Sequence, residues 1–268
     1  MKKLAVIGAG NMGRAIIGGV VKSGLIPSEN VIVSDPYEPG LVRVKEEYNT
    51  KTTTDSREAV KEADAILFAV KPNIIGKVFD GVRDLVDNNK IIISIAAATT
   101  IEFMQEKLGD DKKIVRVMPN TPALVGEAMS ALSPNQNVNS EDLEYVLGIF
   151  NSFGKAEIVP EYLMDSVVGI SGSSPAYVFM FIEALADGAV RAGMPRQQAY
   201  KFASQSVMGS AKMVLESEKH PGELKDMVCS PGGTTIEAVA ILEESNMRSS
   251  IIKAVTAAVD KSKEMSSK

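Results

Sequence analysis

Three groups of residues have the types and spacing to do chemistry. The first is Gly8-Ala9-Gly10-Asn11-Met12-Gly13, with glycines at the G-x-G-x-x-G spacing. It follows the apolar run Leu4-Ala5-Val6-Ile7 and precedes Arg14 to Val21. The run is long enough for one buried strand, and the later stretch for a helix ending near Gly24. In that context each glycine has a task. Gly8 permits the tight turn out of the strand, Gly10 lets a pyrophosphate approach the backbone, and Gly13 lets helix and strand pack closely. The helix N-terminus then offers unpaired N–H groups to phosphate oxygens. This stretch predicts a dinucleotide site.

The second group consists of strand ends. Val70-Lys71-Pro72, Ala96-Ala97-Ala98 and Met118-Pro119-Asn120-Thr121-Pro122 each close an apolar run. In an open α/β sheet the ligand lies beyond the carboxyl ends of the strands, so these segments should border one crevice. Small side chains at 96 to 98 would let a ligand near the backbone. Pro119 and Pro122 stiffen the loop around Asn120, whose amide could bond a carboxamide or a ribose. Lys71 reads either as a catalytic lysine or as a solvated charge. The end of the second strand, Ser34-Asp35, bears on the cofactor: an acid there suits the ribose hydroxyls of NADH, and a serine there can serve the 2′-phosphate of NADPH. Asp35 also reads as a turn residue before Pro36.

The third group is Cys229-Ser230-Pro231-Gly232-Gly233-Thr234-Thr235, ahead of Ile236-Glu237-Ala238. Thr234 and Glu237 have capping-box spacing. Two glycines before a helix expose backbone N–H groups, and the hydroxyls of Ser230, Thr234 and Thr235 add donors. The result reads as a small carboxylate or phosphate cradle, or as a plain loop before a capped helix. Cys229 is expected as a small buried residue and His220 as a turn or cap residue before Pro221-Gly222.

Composition narrows the classes. A net charge of −5 with no basic stripe argues against a nucleic-acid partner. One cysteine and one histidine leave no metal cluster and no Ser-His-Asp triad. The four apolar residues before Gly8 are too short for a signal peptide. No apolar run is expected to reach the ~18 to 20 residues that span a bilayer. A cytoplasmic protein without a membrane partner is expected.

Strands are predicted at Val31 to Val33, Ala65 to Val70, Ile91 to Ile95 and Lys113 to Met118, with Ala128 to Leu132 and Ala156 to Val159 at the far side. Helices are predicted at 41–48, 56–63, 78–86, 101–108 and 140–150, the last with Ser140 as N-cap. Strands alternating with helices, each continuously apolar, argue a doubly wound parallel sheet covered on both faces. From about Pro160 helices take over. Ser174-Pro175 supplies an N-cap and a first-turn proline for a helix running to Gly193. Its charges Glu183, Asp187 and Arg191 form one narrow stripe, and the rest is apolar, so it should be buried, partly by a second subunit. Further helices are predicted at 194–218, 221–228, 235–244 and 247–263.

Taken in order, the glycine loop, Val70-Lys71-Pro72, Met118-Pro119-Asn120-Thr121-Pro122, Ser171-Gly172-Ser173-Ser174-Pro175-Ala176-Tyr177 and Ser230-Pro231-Gly232-Gly233-Thr234-Thr235 resemble the pyrroline-5-carboxylate reductase family over essentially the whole length. The resemblance implies a Rossmann-type domain over 1–160 and an all-helical substrate-binding and dimerisation domain over 161–268. It implies an NADH or NADPH cofactor on Gly8, Gly10, Asn11, Met12 and Gly13, with Ser34 or Asp35 near the adenosine ribose. Val70, Lys71, Pro72, Ala96, Ala97, Met118, Pro119 and Asn120 would hold the nicotinamide half. The carboxylate of 1-pyrroline-5-carboxylate would rest on Ser230, Gly232, Gly233 and Thr234, with the Thr235 hydroxyl at the ring nitrogen. The product would be L-proline, and the assembly a homodimer, often assembled further. Two other readings compete. A 3-hydroxyacid or 6-phosphogluconate-type dehydrogenase would need a lysine where none occurs between Lys155 and Lys201. A nicotinamide-nucleotide sensor without turnover would have no need of the 230–235 loop.

Overall fold

The computed structural model describes residues 2 to 266. The chain forms two compact units, Met1–Gly172 with Ala258–Lys268, and Ser173–Ala257. The first unit is built on eight strands: β1 (Leu4–Ile7), β2 (Val31–Ser34), β3 (Lys51–Thr53), β4 (Ala65–Phe68), β5 (Ile91–Ser94), β6 (Lys113–Met118), β7 (Ala128–Pro134) and β8 (Gly154–Ile158). Their spatial order is β3-β2-β1-β4-β5-β6-β7-β8. The first six are parallel, β7 runs antiparallel to β6, and β8 parallel to β7. This is the Rossmann-type doubly wound order, reversing direction between β1 and β4. Helices α1 (Asn11–Lys22), α2 (Glu38–Tyr48), α3 (Ser56–Glu62), α4 (Pro72–Val82), α5 (Ile101–Leu108), α6 (Ser140–Asn151) and the single turn α7 (Met164–Val167) belong to the same unit.

The apolar runs make strands because both faces are covered. Leu4 and Val6 join a core with Ile16, Ile17 and Val20 of α1, while Ala5 and Ile7 join another with Phe68 and Phe79. Phe68 and Phe79 meet edge to face at 4.8 Å. α1 is tied to α2 by Arg14 Nη2 donating to Glu47 Oε2 at 2.8 Å, and Tyr48 Oη donates to Glu47 Oε1 at 2.7 Å. Burial and that bond push the Tyr48 phenol up to about 12.

The structure departs from the sequence reading at several places. β3 is a short edge strand missed from the sequence, because Lys51-Thr52-Thr53 buries no side chain fully and shows no apolar run. The helix expected at 78–86 is α4, which begins at Pro72: the proline that ends the strand also occupies the first helical turn. Ser140 is not an N-cap, since Asn139 takes that place and its side chain accepts from Asp142 N.

The second unit is helical: α8 (Ser174–Arg191), α9 (Arg196–Ser217), α10 (Pro221–Val228), α11 (Thr234–Glu244) and the greater part of α12 (Met247–Ser266). Ser174 lies inside α8, with Ser173 at the N-cap and no side-chain cap bond. Within one chain α8 is not buried: Ala186 alone of its residues is buried, and Phe179 and Met180 are 64% and 69% exposed. The stretch Glu161–Arg191 has the length and composition that a membrane-crossing helix needs, which the core helix of a soluble protein shares.

Candidate active site

The glycine loop occupies the turn from β1 into α1. Gly8 holds φ +114°, and a Cβ there would stand 2.5 Å from the Ala69 carbonyl oxygen. A Cβ on Gly13 would overlap the Gly8 carbonyl oxygen, so the first turn of α1 rests directly on the loop. At Gly10 a Cβ would meet nothing within 4 Å, and the loop is open on that side. Gly10 caps α1 without a side-chain bond, and no acidic residue stands in the first turn. The N–H groups there are therefore available to an anion, with the favourable end of the helix dipole behind them.

Asp35 braces this loop from the end of β2. Ala9 N donates to its Oδ2 at 2.7 Å and Tyr37 N to its Oδ1 at 2.8 Å. The bond to Ala9 was not foreseen, because it joins residues brought together only by the β1–β2 pairing. Ser34 is 2% exposed in β2, and its carbonyl accepts from Gly8 N at 2.8 Å.

A groove of about 330 Å³ runs across the carboxyl ends of β1, β4, β5 and β6. It brings together Gly10, Asn11 and Met12 with Val70, Lys71 and Pro72, and adds Ala96, Ala97, Met118 and Pro119. Lys71 is exposed at the N-cap of α4. Ala98, beside the groove residues, holds φ +59°, a conformation that costs a non-glycine residue about 1–2 kcal/mol. Such strain clusters at ligand clamps, and nothing in a run of three alanines announces it. Asn120 is not among the lining residues. Its Nδ2 donates to Ser171 O at 3.2 Å and Ser171 Oγ at 3.3 Å, and its Oδ1 accepts from Met129 N at 2.9 Å. It thus ties the end of β6 to β7 and to the π-helical turn Val168–Gly172. A larger hollow of about 660 Å³ borders the flank of α1 near Lys22, Tyr48 and Val125, away from the strand ends.

In the second unit, Gly232 holds φ +66° and Gly233 is the N-cap of α11. Gly233 N donates to Ser230 O at 3.0 Å, folding the loop over the helix start. Thr234 is the first residue of α11, so the expected capping box with Glu237 does not form: Gly233 has no side chain with which to cap. Ser230, Gly232 and Thr234 are exposed, and Thr235 is half-buried. His220 caps α10, its Nδ1 accepting from Gly222 N at 3.0 Å. Cys229 is half-buried at the end of α10 rather than buried.

Residues 161–265 match the family described as pyrroline-5-carboxylate reductase dimerisation, which assigns the chain to homo-oligomers. Residues 3–98 match the family described as NADP oxidoreductase coenzyme F420-dependent. A pyrroline-5-carboxylate reductase of Escherichia coli (strain K12) is 50% identical over 265 residues, covering 99% of this chain and 98% of the relative. One of Methanosarcina acetivorans is 44% identical over 267 residues, covering 100% of this chain and 99% of the relative. The crystal structure of Plasmodium falciparum pyrroline carboxylate reductase with NADP bound superposes with a TM-score of 0.90 at 37% identity, covering 99% of this chain and 98% of that one. With a glycine-loop sheet, a Ser230–Thr235 helix entrance and full-length relatives at this identity, the chain belongs to the pyrroline-5-carboxylate reductase family.

Proposed function

We propose that the protein reduces 1-pyrroline-5-carboxylate to L-proline with a reduced nicotinamide cofactor, the final step of proline biosynthesis. The observation that supports this most is the glycine turn. Gly8 and Gly13 are sterically required, while Gly10 faces open space beside free helix N–H groups. A pyrophosphate fits that opening, and the groove beyond it suits a flat ring bordered by small and apolar residues.

In this reading Gly8, Gly10, Asn11, Met12 and Gly13 hold the pyrophosphate side, and Ser34 or Asp35 stands near the adenosine ribose. Val70, Lys71, Pro72, Ala96, Ala97, Met118, Pro119 and Asn120 position the nicotinamide half, Asn120 by fixing the loop. When bound, the reduced nicotinamide supplies a hydride. Ser230, Gly232, Gly233 and Thr234 hold the substrate carboxylate at the start of α11. The Thr235 hydroxyl orients the ring nitrogen. The hydride adds to the carbon of the protonated C=N bond, whose π electrons pass to nitrogen, giving a secondary amine. A protonated imine is already electrophilic, so no protein nucleophile is needed. Holding the partners face to face can supply up to about 7–11 kcal/mol.

The functional division follows 1–160 for cofactor and 161–268 for substrate and assembly. The assembly is a homodimer in the cytoplasm, the second copy covering α8. The protein engages a small molecule and neither nucleic acid nor membrane. Initial-rate oxidation of NADH and of NADPH with 1-pyrroline-5-carboxylate tests the proposal: cofactor loss matched by proline formation is expected. Saturable cofactor binding without proline would instead leave a non-catalytic nucleotide sensor.

A further inference from the structure

The adenosine end of the site contains more information than the presence of an acid. Asp35 Oδ1 and Oδ2 hold the turn and the glycine loop, accepting from Tyr37 N and Ala9 N. A carboxylate has about four lone-pair positions, so ribose hydroxyls can still donate to it. The backbone around it is poor in donors. Asp35 N donates to Thr53 O and Gly40 N to Tyr37 O, while Pro36 and Pro39 have no N–H. Among the described residues Glu38 N is the amide of this turn left without an acceptor. Glu38 itself starts α2, exposed and without a cap bond, so the helix entrance presents a carboxylate.

The neighbouring strand end offers no cation. There Thr53 Oγ1 donates to Glu58 Oε2 and Asp55 caps α3 through Arg57 N. The Arg57 guanidinium is turned away, held by both Asp84 oxygens at 2.7 Å and by Gly81 O at 2.6 Å. Arg14 is held by Glu47. Arg43 is five residues on from Glu38 in α2, about 7.5 Å along the helix axis.

We propose that this chain is built for NADH, and that Asp35, Glu38 and the donor-poor turn between 35 and 40 exclude the 2′-phosphate of NADPH. A dianionic phosphate there meets two carboxylates, few free N–H groups and no unpaired arginine at the turn itself. The ribose hydroxyls of NADH meet an acceptor. This inference rests on the dinucleotide reading of the glycine loop.

Calorimetric titration of the purified protein with NADH and with NADPH, in the absence of substrate, tests it. NADH is expected to bind at least about tenfold tighter. Asp35→Asn should narrow that ratio, as should Glu38→Arg, which touches none of the loop's hydrogen bonds and serves if the first variant folds poorly. Arg43→Ala should leave the ratio within about twofold. NADPH binding as tightly as NADH, or a ratio indifferent to both turn variants, would overturn the proposal. Binding of neither cofactor by folded protein would instead overturn the dinucleotide reading itself, and this inference with it.

Discussion

Thr235 is the second residue of α11, half-buried behind exposed Thr234. A hydroxyl bonded to a charged ring nitrogen is worth about 1.5–3 kcal/mol. Thr235→Ala is therefore expected to lower turnover by about ten- to a hundredfold, with folding unchanged. Steady-state kinetics check this, and unaltered turnover would remove Thr235 from the chemistry. Gly13 is tested differently. Its missing Cβ is where the Gly8 carbonyl sits, so Gly13→Ala must push α1 off the loop. Cofactor affinity should fall more than about tenfold in a binding titration, with a lowered melting temperature. The turn at Gly8 and the close packing at Gly13 were legible from the glycine spacing and its place between an apolar run and a helix. Asp35 and Asn120 were less legible. Their partners, Ala9, Ser171 and Met129, come near only through sheet pairing and the return of the chain. Ala98 left no trace in sequence, since a positive φ at alanine is imposed by its surroundings.

The strands with long apolar runs could be read because a sheet covered on both faces needs such runs. β3 could not, being an edge strand with one lysine and two threonines. Cap positions slipped by one residue at α6 and α8, since Asn139 and Ser173 compete with adjacent serines for the same place. One element carries its own pH dependence. Asp142, in the first turn of α6, is 4% exposed and receives Lys113 Nζ at 2.7 Å as well as Lys2 Nζ. Burial pushes its carboxyl up, but the hydrogen bonds and charges of Lys113 and Lys2 outweigh it and hold the pKa below the usual carboxylate range. A pKa depressed by folding stabilises the protein above the unfolded carboxyl's value of about 3.9, and that stability is lost as pH falls through the folded value. Asp142→Asn should cost about 1–3 kcal/mol at neutral pH. The gap to wild type should begin to narrow below about pH 4 and close once the pH passes below the folded carboxyl's own value. Urea melts across pH measure it; a gap constant with pH would mean that the carboxylate charge is not what anchors α6.

At the scale of the molecule, the family match assigns homo-oligomers, and the single chain shows why a partner is needed. Phe179, Met180 and Phe181 of α8 lie exposed in one chain, whereas soluble monomers seldom leave such a surface open. The sequence marked this helix as too apolar to face water and pointed to a second subunit as part of its cover. In solution the protein should sediment with at least two chain masses, and Phe179→Asp should shift it toward one. Sedimentation of the wild type as a monomer would contradict the proposed dimer. Direct hydride transfer to the imine carbon can be followed by isotope transfer. Nicotinamide cofactor fully deuterated at C4, incubated with the protein and 1-pyrroline-5-carboxylate, should yield L-proline carrying one deuterium at C5. Proline without label, or no proline from folded protein that binds both ligands, would contradict the account.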